Sequence, residues 1–291
     1  MDETKQRRMN FKTNTLVAVG VCGVLLAVKV FIDIPETNTV LVQEHVRPNT
    51  NGEPTQTLLA VIEQRNNVSK ILNIKQQKIG QMECEKLGDK GSATSETGGW
   101  CQKASKEDGG QHMTDNKLVA ALIELFTGKF VGSFGDGPGR YKQLVIESGK
   151  VKGYDAYDGA PYCDVTSEGR VQFLDLTLPQ YGLPIYDWAL SLEVAEHIPE
   201  QFESVFINNV VRHAREGVVL SWARPGQGGY SHINNKPFEY VKRLMNDLGF
   251  TLDKQASQKL QSAASFDWFK HNTNVFRRKQ SFKDKVDGLN A

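Results

Sequence analysis

At 291 residues with 39% apolar side chains, the chain has room for one good-sized α/β domain plus accessories. A formal net charge of +1, with no basic, aromatic-interleaved stretch, excludes a polyanion-coating surface, so nucleic acid is not an expected partner. The four cysteines Cys22, Cys84, Cys101 and Cys163 include no CxxC pair and give no zinc signature.

Residues 1–14 are a short polar tail carrying Lys5, Arg7, Arg8 and Lys12. Thr15 to Ile34 (TLVAVGVCGVLLAVKVFIDI) is long and apolar enough for one helical membrane crossing, with Lys29 near its exit end where the ammonium can reach the headgroups. Asp33 and Glu36 follow, so the positive-inside bias holds the tail cytosolic and sends the body across. A cleaved signal peptide fits less well, because the run is long and no A-x-A site follows. The expectation is a single-pass type II protein with its body in the lumen of the ER or Golgi. Two features suit that placement: the glycosylation sequon Asn67-Val68-Ser69, and a Gly/Ser/Thr-rich loop flanked by Cys84 and Cys101, which a disulfide would close in an oxidising compartment.

Residues 35–110 form the expected stem. Pro35 to Pro54 is a polar, proline-bearing linker. Leu58, Ile62, Arg65, Val68, Leu72, Ile79 and Met82 then recur at helical spacing, which leaves open a coiled coil that would make a homodimer or a lone helix docked on the body. From 111 to 280 the pattern becomes strand–helix alternation, the sign of a mainly parallel sheet covered on both faces. The predicted elements are a helix at Asn116–Phe126 and strands at Lys129–Phe134, Val151–Tyr154, Arg170–Leu174, Tyr186–Leu192 and Gly217–Ala223. Two closing strands are predicted at Phe250–Lys259 and Asn274–Lys279, and residues 281–291 are a polar tail.

The first of these strands runs into Gly135-Asp136-Gly137-Pro138-Gly139, where glycines permit a tight turn and bare backbone for a ligand. Asp155 lies twenty residues after Gly135, the usual interval for a ribose-hydroxyl acceptor, and Asp175 ends the third strand. The fourth enters Glu193-Val194-Ala195-Glu196-His197, and the loop after the fifth carries His232.

The order GDGPGRY, GYDAYD, VQFLDLTLP and YDWALSLEVAEHIPE resembles class I S-adenosylmethionine-dependent methyltransferases over about 150 residues. That resemblance implies a Rossmann-like, seven-stranded sheet with a reversed terminal hairpin. It also implies S-adenosyl-L-methionine as cofactor, with Gly135, Gly137 and Gly139 at the methionine moiety, Asp155 at the ribose hydroxyls, Asp175 at the adenine amino group and Leu192 beside the sulfonium. Phe134, Asp136, Ala156 and Leu176 complete the implied cofactor-binding set. One position departs from the pattern: an acidic residue two before the first glycine is Ser133 here, for which Asp136 is the available substitute.

The ExxEH spacing with a distal histidine resembles the divalent-metal site of small-RNA 2′-O-methyltransferases, and the ExxEH alone that of ubiquinone-pathway O-methyltransferases. It implies Glu193, Glu196, His197 and His232 as ligands of Mg²⁺ or Mn²⁺. Glu193, His197 and His232 are the catalytic candidates, either through the metal or with a histidine as general base. A hydroxyl on a glycan or small molecule is the expected acceptor. A lipid or quinone-like acceptor at a membrane and an inactive membrane-tethered scaffold are the alternatives. A dinucleotide oxidoreductase is disfavoured by the EVAEH segment and the chain's ending. Trp222, Trp268 and Phe269 suit the core first and an acceptor-stacking surface second.

Overall fold

The computed structural model describes residues 19–21, 24–26, 56–87, 94–101 and 112–280. The chain divides into two units, Met1–Ala60 and Val61–Ala291. In the first, β1 (Val19–Val21) and β2 (Val24–Leu26) pair antiparallel. These residues fall inside the stretch expected to be a helical anchor and are extended instead, in keeping with the preference of valine for pleated backbone. Among the described residues no helix is long and apolar enough to cross a membrane. The rest of 15–34, the tail 1–14, the linker 35–55 and the tail 281–291 lie outside the described residues.

The second unit holds a seven-stranded sheet in the order β5-β4-β3-β6-β7-β9-β8. Its strands are β3 (Phe130–Phe134), β4 (Gly153–Asp158), β5 (Gln172–Phe173), β6 (Tyr186–Ser191), β7 (Ala214–Leu220), β8 (Phe250–Leu252) and β9 (Asn274–Arg278). Pairing is parallel from β5 through β7, and β9 runs antiparallel to both β7 and β8. This is the α/β Rossmann-like arrangement the resemblance implies.

Helices cover both faces, and alternate side chains of each strand feed separate cores. On one face α2 (Asn116–Leu125), α7 (Lys254–Ala263) and α8 (Asp267–Asn272) pack Leu118, Leu122, Leu260 and Phe269 against Val131, Trp188, Leu190, Val219 and Val275. On the other, α5 (Glu203–Arg212) and α6 (Phe238–Asp247) pack Phe206, Ile207, Val210 and Met245 against Ala189, Val218, Leu220 and Phe276. Trp222 and Phe269 are buried and Trp268 stacks on Phe266, so all three belong to the core.

Several expected strands are revised. β7 runs from Ala214 to Leu220 instead of Gly217 to Ala223, and β5 is only Gln172–Phe173. β4 begins at Gly153 and continues to Asp158, because buried Tyr154, Ala156 and Tyr157 carry the pairing onward past Asp155. β8 stops at Leu252, where the Asp253 carboxylate accepts from Ala256 N and caps α7.

The stem helix, α1 (Gln56–Leu87), docks from Val61 onward within the second unit. The face it presents is small and polar. Asn73 donates to Phe173 O and accepts from Asp175 N, at 2.7 and 2.9 Å, so its amide continues the ladder beyond edge strand β5. Ser69 Oγ donates to Pro179 O and accepts from Tyr181 N, and Gln77 and Gln81 both donate to Pro161 O. The unpaired groups of a sheet edge require polar partners, which is why Val68, Leu72, Ile79 and Met82 are turned outward and about half exposed. At its end, Cys84 forms a disulfide with Cys101.

Asn73→Ala leaves the Phe173 carbonyl and the Asp175 N–H without partners, a cost of about 1–3 kcal/mol. Urea unfolding should show a lower midpoint at unchanged slope, and an unchanged midpoint would mean that this amide does not hold the edge.

Candidate active site

The glycine turn opens at the end of β3. Gly135 has φ +94°, and a Cβ there would lie 2.2 Å from Val194 Cγ2, so any side chain would force the turn away from the ExxEH segment. Gly139, also left-handed, caps the first turn of α3 (Arg140–Glu147). Phe134 itself is fully buried against Tyr157, so its side chain serves the core and its carbonyl accepts from Ser191 Oγ.

Asp136 lies beside Ser133 within the turn. Its carboxylate accepts from Ser133 Oγ at 2.6 Å, from Tyr154 OH at 2.8 Å and from Lys142 N. Burial pushes its pKa up to about 6 despite these bonds. An acidic group is thus held against the strand end from inside the turn.

At the tip of β4 the acid facing the turn is Asp158. One oxygen accepts from Gly137 N and the other from Ala160 N, both at 2.8 Å. Asp155, the sequence-predicted ribose acceptor, pairs with Gly132 in the middle of the sheet and accepts from Tyr186 OH. Ala156 and Leu176 are likewise buried in the cores, and Leu192 packs against one. The strand's three extra residues account for the displacement. Asp175 sits beyond the tip of β5, with one oxygen bonded to Thr177 N and Oγ1 and the other, buried Oδ2, unpartnered. Burial raises its pKa.

Beyond β6, the ExxEH residues do not form an α-helix. Glu193 adopts φ +52°, and Ala195–His197 is a single 3-10 turn. Convergence comes from this turn and the loop after β7: ligand atoms of Glu196, His197 and His232 all lie within 4.8 Å of one another. Glu193 stands beside this set, with Oε2 accepting from Gln227 Nε2 at 2.9 Å and Oε1 unpartnered.

Glu196 is fully buried, with His232 Nε2 4.0 Å from Oε1; burial and then the Glu193 charge raise its pKa well above the carboxylate range, against a smaller lowering by the Glu196 and Ala223 backbone. Burial, reinforced by His232, lowers His197 to about 4, which leaves a neutral imidazole, and its Nδ1 lies 3.2 Å from Ser231 O. Two imidazoles around a buried carboxyl are a donor set that fits a divalent cation.

Four residues were not singled out from the sequence. Asp158 carries a signal in retrospect, as the acid before Gly159 at a strand end. Gln227 lies in the glycine-rich loop. Trp100 lies in the stem and His112 at the very start of the α/β region: His112 Nδ1 sits 2.7 Å from where a Gly137 Cβ would be, and its ring lies 4.4 Å from that of Trp100.

No protein-family model and no curated protein matches the chain. Similar solved structures include magnesium protoporphyrin IX methyltransferase (ChlM) from Synechocystis PCC 6803 with bound SAH, at 16% identity over 55% of this chain and 82% of that one, TM-score 0.42. The 1,6-didemethyltoxoflavin-N1-methyltransferase of Burkholderia thailandensis is another, at 15% identity over 57% and 80%, TM-score 0.39. The methyltransferase domain of bacterial CtHen1-C is a third, at 15% over 56% and 95%, TM-score 0.39. Likenesses this weak say nothing of substrate, and the topology rests on the chain's own strand pairing.

Asp136 gives the site a pH signature. Its folded pKa is about 6, above the ordinary carboxylate value, so the native state binds the extra proton between the two. That contribution to stability is fully present below about pH 4 and is lost as pH rises through about 6. Asp136→Asn keeps an acceptor for Ser133 and Tyr154. The stability of the wild type minus that of the variant should therefore fall by roughly 3 kcal/mol between pH 4 and 7. A pH-independent difference in chemical denaturation would refute the assignment.

Proposed function

We propose that this chain is an S-adenosylmethionine-dependent methyltransferase that O-methylates a hydroxyl on a glycan or small molecule. The observation that carries the proposal is the Gly135–Val194 contact, which sets the glycine turn directly against the segment bearing Glu193, Glu196 and His197. Donor loop and reactive cluster are adjacent, as in-line displacement at a sulfonium methyl requires.

In this reading Gly135, Gly137 and Gly139 offer backbone to the methionine moiety and Asp158, in place of Asp155, takes the ribose hydroxyls. The unpartnered Oδ2 of Asp175 accepts from the adenine amino group. Glu196, His197 and His232 would hold a divalent cation, and such an ion supplies Lewis acidity that lowers the pKa of an acceptor hydroxyl. Imidazole-rich ligation suits Mn²⁺ better than Mg²⁺, which favours all-oxygen shells. The acceptor oxygen attacks the methyl carbon, the C–S bond breaks with its electron pair left on sulfur, and the hydroxyl proton passes to Oε1 of Glu193. Ser133, the chief argument for an inactive scaffold, is offset by its bond to Asp136.

Calorimetric titration of the full-length protein should show donor binding, and labelled-methyl transfer should be lost on chelation and restored by Mn²⁺. Glu196→Gln and His232→Ala are expected to lower turnover by about 10²- to 10³-fold with donor affinity retained. Absence of both binding heat and thermal shift removes the methyltransferase reading; turnover indifferent to chelator removes the metal.

The lumenal placement is part of the same proposal. It is supported by the Cys84–Cys101 disulfide and by the exposed position of Asn67 on α1. Endoglycosidase should shift the electrophoretic mobility of the protein expressed in eukaryotic cells, and Asn67→Gln should abolish the shift. An unshifted wild-type band argues for the other side of the membrane.

A further inference from the structure

The loop 94–101 is not part of the α/β domain by sequence, yet it reaches the reactive cluster. Its end is fixed by the Cys84–Cys101 disulfide, and its own backbone is closed by Ser95 N to Gly99 O at 2.7 Å and Gly98 N to Ser95 O at 3.0 Å. It is seated on both halves of the site. A Cβ on Gly98 would lie 2.6 Å from His197 O, and one on Gly99 would lie 2.1 Å from Gly159 O. The side chain so delivered is Trp100. Its ring stands edge-on to His197 at 5.9 Å and to Tyr230 at 6.0 Å, and it contacts His112 over the glycine turn.

Trp100 is half-buried and Tyr230 is 41% exposed. Core aromatics such as Trp188 and Trp222 are closed off, so these two instead form a partly open aromatic corner beside the candidate metal ligands. Among the described residues, the polar groups next to it are Thr94, bridged to Trp100, Gln227, bonded to Glu193, and Ser231, whose carbonyl meets His197, with the carboxylates Glu96 in the loop and Glu193 as charged members. Arg224, in the loop after β7, is turned away to the His271 carbonyl. A phosphate-rich acceptor finds little to hold here. A saturated ring with one C–H face and a periphery of hydroxyls matches the corner on both counts: C–H against the aromatic face, hydroxyls to the polar rim, and two neighbouring oxygens toward Glu196, His197 and His232.

Resting on the methyl-transfer reading, we propose that Trp100 and Tyr230 form the acceptor platform and that its ligand class is a pyranose sugar. The disulfide-stapled stem loop thereby completes the substrate site. Trp100 acts by binding the acceptor ring, so its loss should appear in KM rather than in donor affinity.

The test uses the full-length protein with labelled S-adenosylmethionine and three acceptors: methyl hexopyranosides, catechol and an oligoribonucleotide with a free 2′,3′-diol. The pyranosides are expected to be methylated. Trp100→Ala and Tyr230→Ala should each raise the pyranoside KM, Trp100→Ala by about five- to tenfold, with Trp100→Phe recovering most of the loss. The donor Kd by calorimetry should stay within about twofold of wild type, a split that lost packing would not give. Transfer only to catechol or only to the oligoribonucleotide overturns the sugar assignment. Unchanged KM in both Ala variants overturns the platform, as does a parallel loss of donor affinity. A wild-type chain that binds no donor fails at the earlier step, and overturns the methyl-transfer reading itself.

Discussion

Glu196 imposes the strongest constraint in the domain, because its carboxyl is fully buried and lies beside a second carboxyl, Glu193. Desolvation and like charge both oppose its ionisation, so a proton, shared with Glu193 or held alone, or a bound cation would relieve it. His197 is kept neutral by burial and so offers a lone pair rather than a charge, and His232 faces Glu196 at 4.0 Å. The local backbone is built to produce this crowding: Glu193 adopts a left-handed conformation that costs free energy in a non-glycine residue, and so does Ser231 beside His232. Strained backbone on both segments that converge on one buried carboxyl is the pattern of a functional site.

On the donor side, three acids sit at neighbouring strand tips and each is satisfied differently. Asp136 is fully bonded from within the domain, by Ser133, Tyr154 and Lys142, so it shapes the turn and has no oxygen to spare. Asp158 holds the turn's own Gly137 N–H, a bond that a ribose hydroxyl can share or replace without stranding a buried group, since the residue is only partly buried. Asp175 has one oxygen locked by Thr177 and one buried and free. The three acids thus differ in hydrogen-bond saturation, and it is this difference, not position in the motif, on which the proposed ribose and adenine contacts rest.

Much of this was legible in the sequence, and the misses share a cause. Strand alternation, the glycine turn and the ExxEH-plus-histidine set depend on local pattern, which one chain read in order displays. Asp155 was mistaken for the strand-tip acid because an interval in sequence cannot reveal where pairing stops; the register Phe134–Tyr157 carries β4 three residues further. The predicted strand through Lys259 failed because the Asp253 cap outweighed the apolar run before it. The helical spacing of Glu193, Glu196 and His197 suggested one helical face, but a 3-10 turn and a distant loop achieve the convergence. Trp100 and His112 had no local signal at all, since their placement arises from contacts distant in the chain, His112 with Gly137 and Trp100 with His197.

The stem helix follows the same logic from the opposite direction. Its apolar repeat pointed to a hydrophobic contact, but the sheet presents it with an unpaired edge, and polar groups win there: an amide side chain that both donates and accepts is a better neighbour for β5 than leucine. The compact unit accordingly begins at Val61, well ahead of the α/β pattern. That has a consequence for how the site is held. The helix that seals β5 through Asn73 is the same one that anchors Cys84, and Cys84 fixes the loop bearing Trp100. Asp175, whose N–H bonds to Asn73, and Trp100, beside His197, are therefore positioned by one element at the two ends of the site. The Asp175 and Trp100 ends of the site share a strut, so a disturbance of the stem reaches both through ordinary packing and hydrogen bonds, with no need for motion in the sheet between them.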